Sequence, residues 1–325
     1  MTTPFVSIIT PCFNGADHLD NFFAGILSQT YKNFELIFVD DGSTDDTKII
    51  AEKYEKRLSE KGIKFIYFYQ SNSGQAAAMN KGFSIMKGKY FMWVDSDDIM
   101  LPTNIEEKVI FLEENPKYDF VLNEAEIVNS SDISKRVDVL RRIQPRGEDD
   151  FFSDLIYGNN VIYGPGMILV RTKFFEKAIP QKSIYENREG QNWQIMLPIT
   201  YEGIWEYIKK PLVKIVVHQD SHSHQKRGFY SQWDRYSAFS EICIKTIMRI
   251  PSMSEEEKKK WCKKIKILHN KSKLNLASQH LKWKYYCQAK RELTNEGYKL
   301  NVKEWFVMGG LKMIVYKFRR STKNG

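Results

Sequence analysis

Asp95, Asp97 and Asp98 follow directly on the apolar run Tyr90 to Val94. A run of that kind reads as a buried strand, so three carboxylates collect at its carboxyl end. Like charges this close repel one another unless a cation neutralises them, and a divalent metal held there would in turn hold a phosphate. The same residues would also make a solvated acidic turn capping a helix that starts near Pro102. Two further polar turns weigh against that plainer use. Pro11-Cys12-Phe13-Asn14-Gly15 follows the apolar run Phe5 to Thr10, and Asp40-Asp41-Gly42-Ser43-Thr44-Asp45 follows Phe34 to Val39. Together the turns suit a nucleotide. Phe13 can stack on a base, Asp41 can accept from a base N–H, Asp40 can bond a ribose or its own turn, and Asp95 and Asp97 can serve ribose and metal.

These turns need elements to bring them together. Leu19, Phe22, Phe23, Ile26 and Leu27 recur at helical spacing, a further helix is expected from Asp46 to about Lys61, and a third strand from Ile63 to Tyr69. Strands alternating with helices in units of this size imply a parallel sheet with right-handed crossovers. In such sheets ligands sit beyond the carboxyl ends of the strands, which puts the ends of the first, second and fourth strands in one crevice. Beyond Pro102 the pattern gives a helix from Ile105 to Asn115, a strand near Phe120 to Leu122, and a polar, aperiodic connection from Asn129 to Asp150.

The chain has 325 residues with 42% hydrophobic content, enough for one large or two modest domains. Cys12, Cys243, Cys262 and Cys287 show no paired spacing, against both a disulfide framework and a zinc site, so a reducing compartment is expected. No signal-peptide pattern opens the sequence and no stretch is long and apolar enough to span a bilayer, so the expected location is cytoplasmic. Net charge is +9, unevenly spread: 21 Lys+Arg against 6 Asp+Glu from Lys245 onward, and 28 against 34 before it. A basic end of this kind seeks an anionic partner, nucleic acid or membrane.

Five segments in order carry a family resemblance: Ser7 to Asn14, Ser28 to Leu36, Val39 to Asp45, Asn72 to Gly82, and Asp95 to Asp98. They resemble the family-two inverting glycosyltransferases, whose Val-Asp-Asp-Gly-Ser-x-Asp signature is matched by Val39 to Asp45. The resemblance covers about the first third of the chain. It implies an α/β fold of the GT-A type, a Rossmann-like, mostly parallel sheet flanked by helices, here with a C-terminal helical extension. It also implies a nucleotide-sugar donor, Mn2+ or Mg2+, and an inverting transfer. On that basis the catalytic domain is 1–228, with a nucleotide-sugar half 1–103 and an acceptor half 104–228, and 229–325 is a basic helical region.

Carried over by position, the donor-binding set is Thr10, Pro11, Phe13, Asn14, Asp40, Asp41, Asn72, Gly74, Asn80, Asp95, Ser96 and Asp97. Asp41 resembles the uracil-contacting carboxylate, so the donor is expected to be UDP-linked. Asp97 resembles the metal ligand, with Asp95 on the ribose side and a further candidate for the metal. Many relatives have an arginine where Met79 stands. Gly164 to Arg171 resembles the strand on the acceptor side.

Relatives carry their base in a Glu-Asp pair at a helix start, and that pair aligns here with Gln191-Asn192, amides that cannot act as a base. Glu189 is therefore the expected base, with Glu186 in reserve, and Gln191, Asn192 and Trp193 are expected to face the acceptor. Alternatively Glu189 pairs with Arg188 or Lys182 at the surface, and Trp193 belongs to the core. The cluster His218-Gln219-Asp220-Ser221-His222-Ser223-His224 follows a strand, Val213 to Val217. In relatives this position closes over the diphosphate, so His222, with Ser221 and then His218, is expected to complete the metal shell.

From Tyr230 the pattern turns helical, and Glu255-Glu256-Glu257 precedes Lys258-Lys259-Lys260 in the orientation that suits the helix dipole. Trp305 to Phe318 interleaves aromatic and aliphatic residues with Lys312 and Lys317, which suits an anionic membrane surface or a packed helical subdomain. Aromatics blended with aliphatics do not array for base stacking, which argues against nucleic acid. The expectation is a hexosyl- or N-acetylhexosaminyltransferase acting on a glycan or lipid-linked glycan in bacterial surface polysaccharide synthesis, peripheral at the inner face of the membrane. The other reading is an inactive nucleotide-sugar or glycan-binding protein of the same fold.

Overall fold

The computed structural model describes residues 3–142, 151–158, 164–188, 190–218 and 228–301. The chain opens with β1 (Val6–Cys12), α1 (Leu19–Leu27), β2 (Phe34–Asp40), α2 (Thr47–Glu60), β3 (Lys64–Tyr69), α3 (Gln75–Ile85) and β4 (Tyr90–Trp93). It continues through β5 (Ile99–Met100), α4 (Asn104–Glu114), β6 (Phe120–Asn129), β7 (Asp132–Leu140), α5 (Phe151–Tyr157), β8 (Ile168–Arg171), α6 (Thr172–Ala178), α7 (Gln191–Glu202) and β9 (Trp205–Val217). Three helices follow, α8 (Phe229–Met248), α9 (Glu255–Gln279) and α10 (Trp283–Asn295). The chain divides into two compact units, Met1–His224 and Gln225–Gly325.

The sheet of the first unit runs β3-β2-β1-β4-β8-β6-β9-β5, with β7 added on β6. Its first four strands are all parallel, as expected for β-α-β repeats. Past β4 the sheet becomes mixed, because β8 pairs antiparallel with both β4 and β6 while β6 and β9 are parallel. The stretch from Asn129 expected as an irregular connection holds instead a strand, β7, that pairs antiparallel with β6. Nothing local announces it, since β7 is largely exposed and its alternation is weak. Its partner supplies what its own side chains do not.

β1 and β2 are buried along their whole length, which explains their unbroken apolar character. Between the sheet and α1 and α2 sits an aromatic stack: Phe23 lies 4.5 Å from Tyr54 and 5.7 Å from Phe38, ring centroid to centroid. One polar knot is buried on the other face of the sheet, at the positions alternating with that stack. Glu35 accepts from Ser7 Oγ at 2.8 Å, Lys64 Nζ at 2.8 Å and the Lys87 backbone N–H at 2.9 Å, so the carboxylate is both paired and hydrogen-bonded.

In the second unit, Phe229 and Trp233 of α8, Leu274 and Ala277 of α9, and Tyr286, Ala289 and Leu293 of α10 form a separate core. The start of α9 is a full capping box between Ser254 and Glu257. No helix among the described residues is long and apolar enough to cross a membrane.

Phe23 touches four neighbouring rings and is fully buried. Phe23→Ala is expected to lower unfolding free energy by about 3–5 kcal/mol, read as a shift in the urea midpoint.

Candidate active site

Strand register brings the three polar turns to one edge. Cys12 of β1 is opposite Asp40 of β2, the Asp41 N–H donates to the Cys12 carbonyl at 2.8 Å, and the Val94 N–H donates to the Ile9 carbonyl at 3.1 Å. The turns are also tied directly to one another. The Asn14 N–H donates to Ser43 Oγ at 2.9 Å, Asn14 Oδ1 accepts from the Thr44 N–H at 2.9 Å, and the Ala16 N–H donates to Asp45 Oδ2 at 3.0 Å. Gly42 adopts φ +83°, and a Cβ there would lie 2.6 Å from the Asn72 backbone nitrogen, so this turn requires glycine.

The two aspartates of the second turn do different work. Asp40 is buried, accepting from the Ser43 N–H at 2.8 Å and from Tyr67 Oη at 2.6 Å, so it locks its own turn. Asp41, 4% exposed, accepts from Gln70 Nε2 at 2.7 Å, the Ser73 N–H at 2.9 Å and the Gly74 N–H at 2.8 Å. A carboxylate has about four acceptor positions, which leaves one for a ligand N–H. Phe13 stands 51% exposed at the end of β1, an open ring beside that carboxylate's turn. Pro11 and Thr10 are buried in β1, the Thr10 hydroxyl without a partner among the described residues.

At the end of β4, ligand oxygens of Asp95, Asp97 and Asp98 all lie within 4.8 Å of one another. Burial, and then the neighbouring carboxylates, push Asp95 up to about 7 and Asp98 well above its ordinary value. Each keeps one protein donor: Gln75 Nε2 to Asp95 Oδ1 at 2.9 Å, and the Val216 N–H to Asp98 Oδ1 at 3.0 Å. Ser96 hydrogen-bonds the Cys12 thiol, whose burial pushes it up to about 12, so this cysteine is inert.

His218 Nε2 lies 3.8 Å from Asp97 Oδ2 and is buried with no hydrogen-bond partner among the described residues. Burial and then the ring of His18, 4.1 Å away centre to centre, hold the imidazole below its ordinary value, in the neutral form that ligates metal. An orphaned imidazole nitrogen beside hard carboxylate oxygens fits Mn2+ or Mg2+. His222 and Ser221, expected at this place, lie outside the described residues, and His218 stands there.

The turn beneath β4 is held from the other side. Gly166, at φ +80°, donates its N–H to the Trp93 carbonyl at 2.6 Å, while its own carbonyl accepts from Lys108 Nζ at 2.8 Å and Asn104 Nδ2 at 3.1 Å.

On the acceptor side, Gln191 and Asn192 open α7 and reach the acidic end. Gln191 Nε2 donates to Gln75 Oε1 at 2.5 Å, and the Trp93 indole N–H donates to Asn192 Oδ1 at 3.2 Å. Trp193 instead turns its N–H to the Leu155 carbonyl of α5 at 3.4 Å. Asn80, expected at the donor, has its amide engaged by both backbone groups of Ile184, at 2.8 and 2.9 Å, and so anchors the segment that carries Glu186. Glu186 is exposed, 3.4 Å from Asn80 Nδ2, on the rim of an open cavity of about 400 Å³ that Gln70, Ser73 and Lys81 also line. Asn72 Oδ1 accepts from Arg188 at 3.0 Å, and Gly74 faces the Asn187 backbone. Glu189 lies outside the described residues. Gln75, Trp93 and His18 carry no functional signal of their own in the sequence, although Gln75 lies within Asn72 to Gly82 and Trp93 within the apolar run Tyr90 to Val94.

Fold and site together define an α/β architecture with an acidic crevice at the carboxyl ends of its parallel strands, and comparison with known proteins gives that architecture a family. Residues 7–179 match the family "Glycosyl transferase family 2", and the chain belongs to that family. An uncharacterized glycosyltransferase of Rickettsia prowazekii is 41% identical over 120 residues, 37% of this chain and 36% of that protein. EpsE of Bacillus subtilis, named as a glycosyltransferase, is 28% identical over 74% of this chain and 82% of its own. TuaG of Bacillus subtilis, named for teichuronic acid biosynthesis, is 38% identical over 34% of this chain and 43% of its own. Among solved structures, S. aureus TarS 1–349 in complex with UDP-GlcNAc superposes with a TM-score of 0.64 at 19% identity, covering 90% of this chain and 80% of that one. That likeness supports the GT-A fold.

Asp95 and Asp98 titrate above the unfolded carboxylate value of about 4, so the fold is most stable while they are protonated and loses stability as pH rises toward about 7. In chelator, the melting temperature is expected to fall across that window, and Asp95→Asn to flatten the fall. A differential scanning fluorimetry series in pH reads both.

Proposed function

We propose that this chain is an inverting glycosyltransferase that moves a sugar from a UDP-linked donor to a hydroxyl of a glycan or lipid-linked glycan in bacterial surface polysaccharide synthesis. The observation that carries the reading is the meeting of the β1, β2 and β4 ends in one crevice, with three carboxylates converging there.

In this reading the exposed Phe13 ring stacks on the base and the one open acceptor position of Asp41 takes a base N–H. Asp95, Asp97, Asp98 and His218 would hold Mn2+ or Mg2+, with Ser96 in the turn between the carboxylates. A cation held there would supply positive charge against the diphosphate. Gln191 and Asn192 face the acceptor. Transfer is one in-line displacement: the acceptor oxygen bonds to the anomeric carbon as the bond to the diphosphate oxygen breaks. The hydroxyl proton passes to a carboxylate, Glu189, with Glu186 in reserve. Domain limits at 228 and 229 remain part of this proposal. So does contact of the basic C-terminal region with an anionic membrane surface: residues 228–301 carry 16 Lys+Arg against 7 Asp+Glu.

A second reading, an inactive nucleotide-sugar-binding protein, is favoured by one feature: the first turn of α7 has no acidic residue. Donor turnover separates the two. With Mn2+ and a panel of UDP-sugars, the enzyme is expected to release UDP from at least one. Asp97→Ala should reduce release on the order of 10²-fold or more. Glu189→Gln should slow transfer by about 10²–10⁴-fold with UDP affinity unchanged. Binding of a UDP-sugar without any turnover would establish the inactive protein.

A further inference from the structure

Two side-chain amides connect the first turn of α7 to the acidic end of β4. Gln191 Nε2 donates to Gln75 Oε1 at 2.5 Å, and Gln75 Nε2 donates to Asp95 Oδ1 at 2.9 Å. The direction of this chain is forced from one end. A carboxylate that holds a cation has no proton to give, so Gln75 must turn its NH2 to Asp95 and its carbonyl to Gln191. Gln191 must then turn its own NH2 inward, leaving its Oε1 with no partner among the described residues; that atom is not buried. Asn192 is oriented by the same logic, because an indole N–H only donates.

We propose that Gln75 and Gln191 act as one positioning unit for Asp95: the amide relay fixes Asp95 Oδ1 against Gln75 and leaves the other carboxylate oxygen to the cation shared with Asp97 and Asp98. The proposal rests on the cation reading above and extends it to two residues that do not touch the cation. It gives the Gln-Asn pair of α7 a purpose other than that of a base. A carboxylate at 191 could only accept, so it would turn Gln75 over and press Gln75 Oε1 against Asp95. With Gln75 between them, an amide at 191 is what keeps the Gln75 NH2 on Asp95.

The relay makes a prediction opposite in sign to simple electrostatics. Gln191→Glu adds a negative charge near a cation site, which on charge alone tightens cation binding. Through the relay the same change weakens it. Mn2+ affinity of the full chain, read by electron paramagnetic resonance of free Mn2+ at neutral pH, tests this without any turnover. Gln191→Glu is expected to weaken Mn2+ by about fivefold, the effect of one lost hydrogen bond, and Gln75→Leu by a similar factor. In the Gln75→Leu background the same Gln191→Glu change should no longer weaken binding, because nothing transmits it. Unchanged or tighter Mn2+ binding in Gln191→Glu overturns the relay, and so does equal weakening in both backgrounds. If Gln191→Glu does not fold, Gln75→Leu alone decides, and undiminished affinity overturns the proposal. A wild-type chain that binds no Mn2+ removes the cation reading itself, an outcome distinct from the others.

Discussion

Mutual repulsion among Asp95, Asp97 and Asp98 is the constraint that the surrounding structure answers. Their ligand oxygens stand within 4.8 Å of one another at a strand end, and burial of Asp95 together with the charge of Asp97 pushes Asp95 up to about 7. Donors arrive from two different parts of the chain, Gln75 from α3 and the Val216 N–H from β9, and the His218 imidazole stands just beyond, 3.8 Å from Asp97. Val216 is in place because β9 lies parallel to β6, and β4 is in place because Gly166, gripped by Lys108 and Asn104, holds the Trp93 carbonyl. The mixed half of the sheet therefore supports a site whose charges sit on the parallel half.

The donor-side turns show a related economy. Asp40, Asn14 and Asp45 resemble ligand contacts in type and spacing, yet Asp40 binds its own turn and Tyr67, while Asn14 and Asp45 bind the facing turn. The crevice is wired to itself before any ligand arrives, so little ordering remains for binding to impose. Asp41 belongs to both groups, holding the turn before α3 with three bonds and keeping one acceptor position open.

Much of the first half of the fold is legible from local pattern. Runs such as Phe34 to Val39 are apolar because both faces are covered, and the polar turns after them mark where they stop. The crevice was equally legible, since parallel β-α-β order alone places the strand ends together. β7 was not, because its stability comes from pairing with β6 rather than from its own periodicity. Gln75 was not, because an amide in a helix's first turn means nothing until Asp95 and Gln191 are seen on either side of it. His18, 18 residues into the chain, meets His218 only through the fold.

The sequence by itself determined which residue types stand at the ends of which strands, and hence that carboxylates, an aromatic ring and a glycine turn would share one edge. Hydrophobic period and turn chemistry act over a few residues, so a reader of the chain has direct access to them. Which oxygen accepts from which donor was decided only in three dimensions. Asp40 and Asp41 are adjacent and identical in kind, yet one meets Tyr67 and its own turn while the other meets the backbone before α3. That difference arises from alternation across the sheet and from partners about 30 residues away in sequence. Distances of that order are set by packing, and packing is a property of the whole chain.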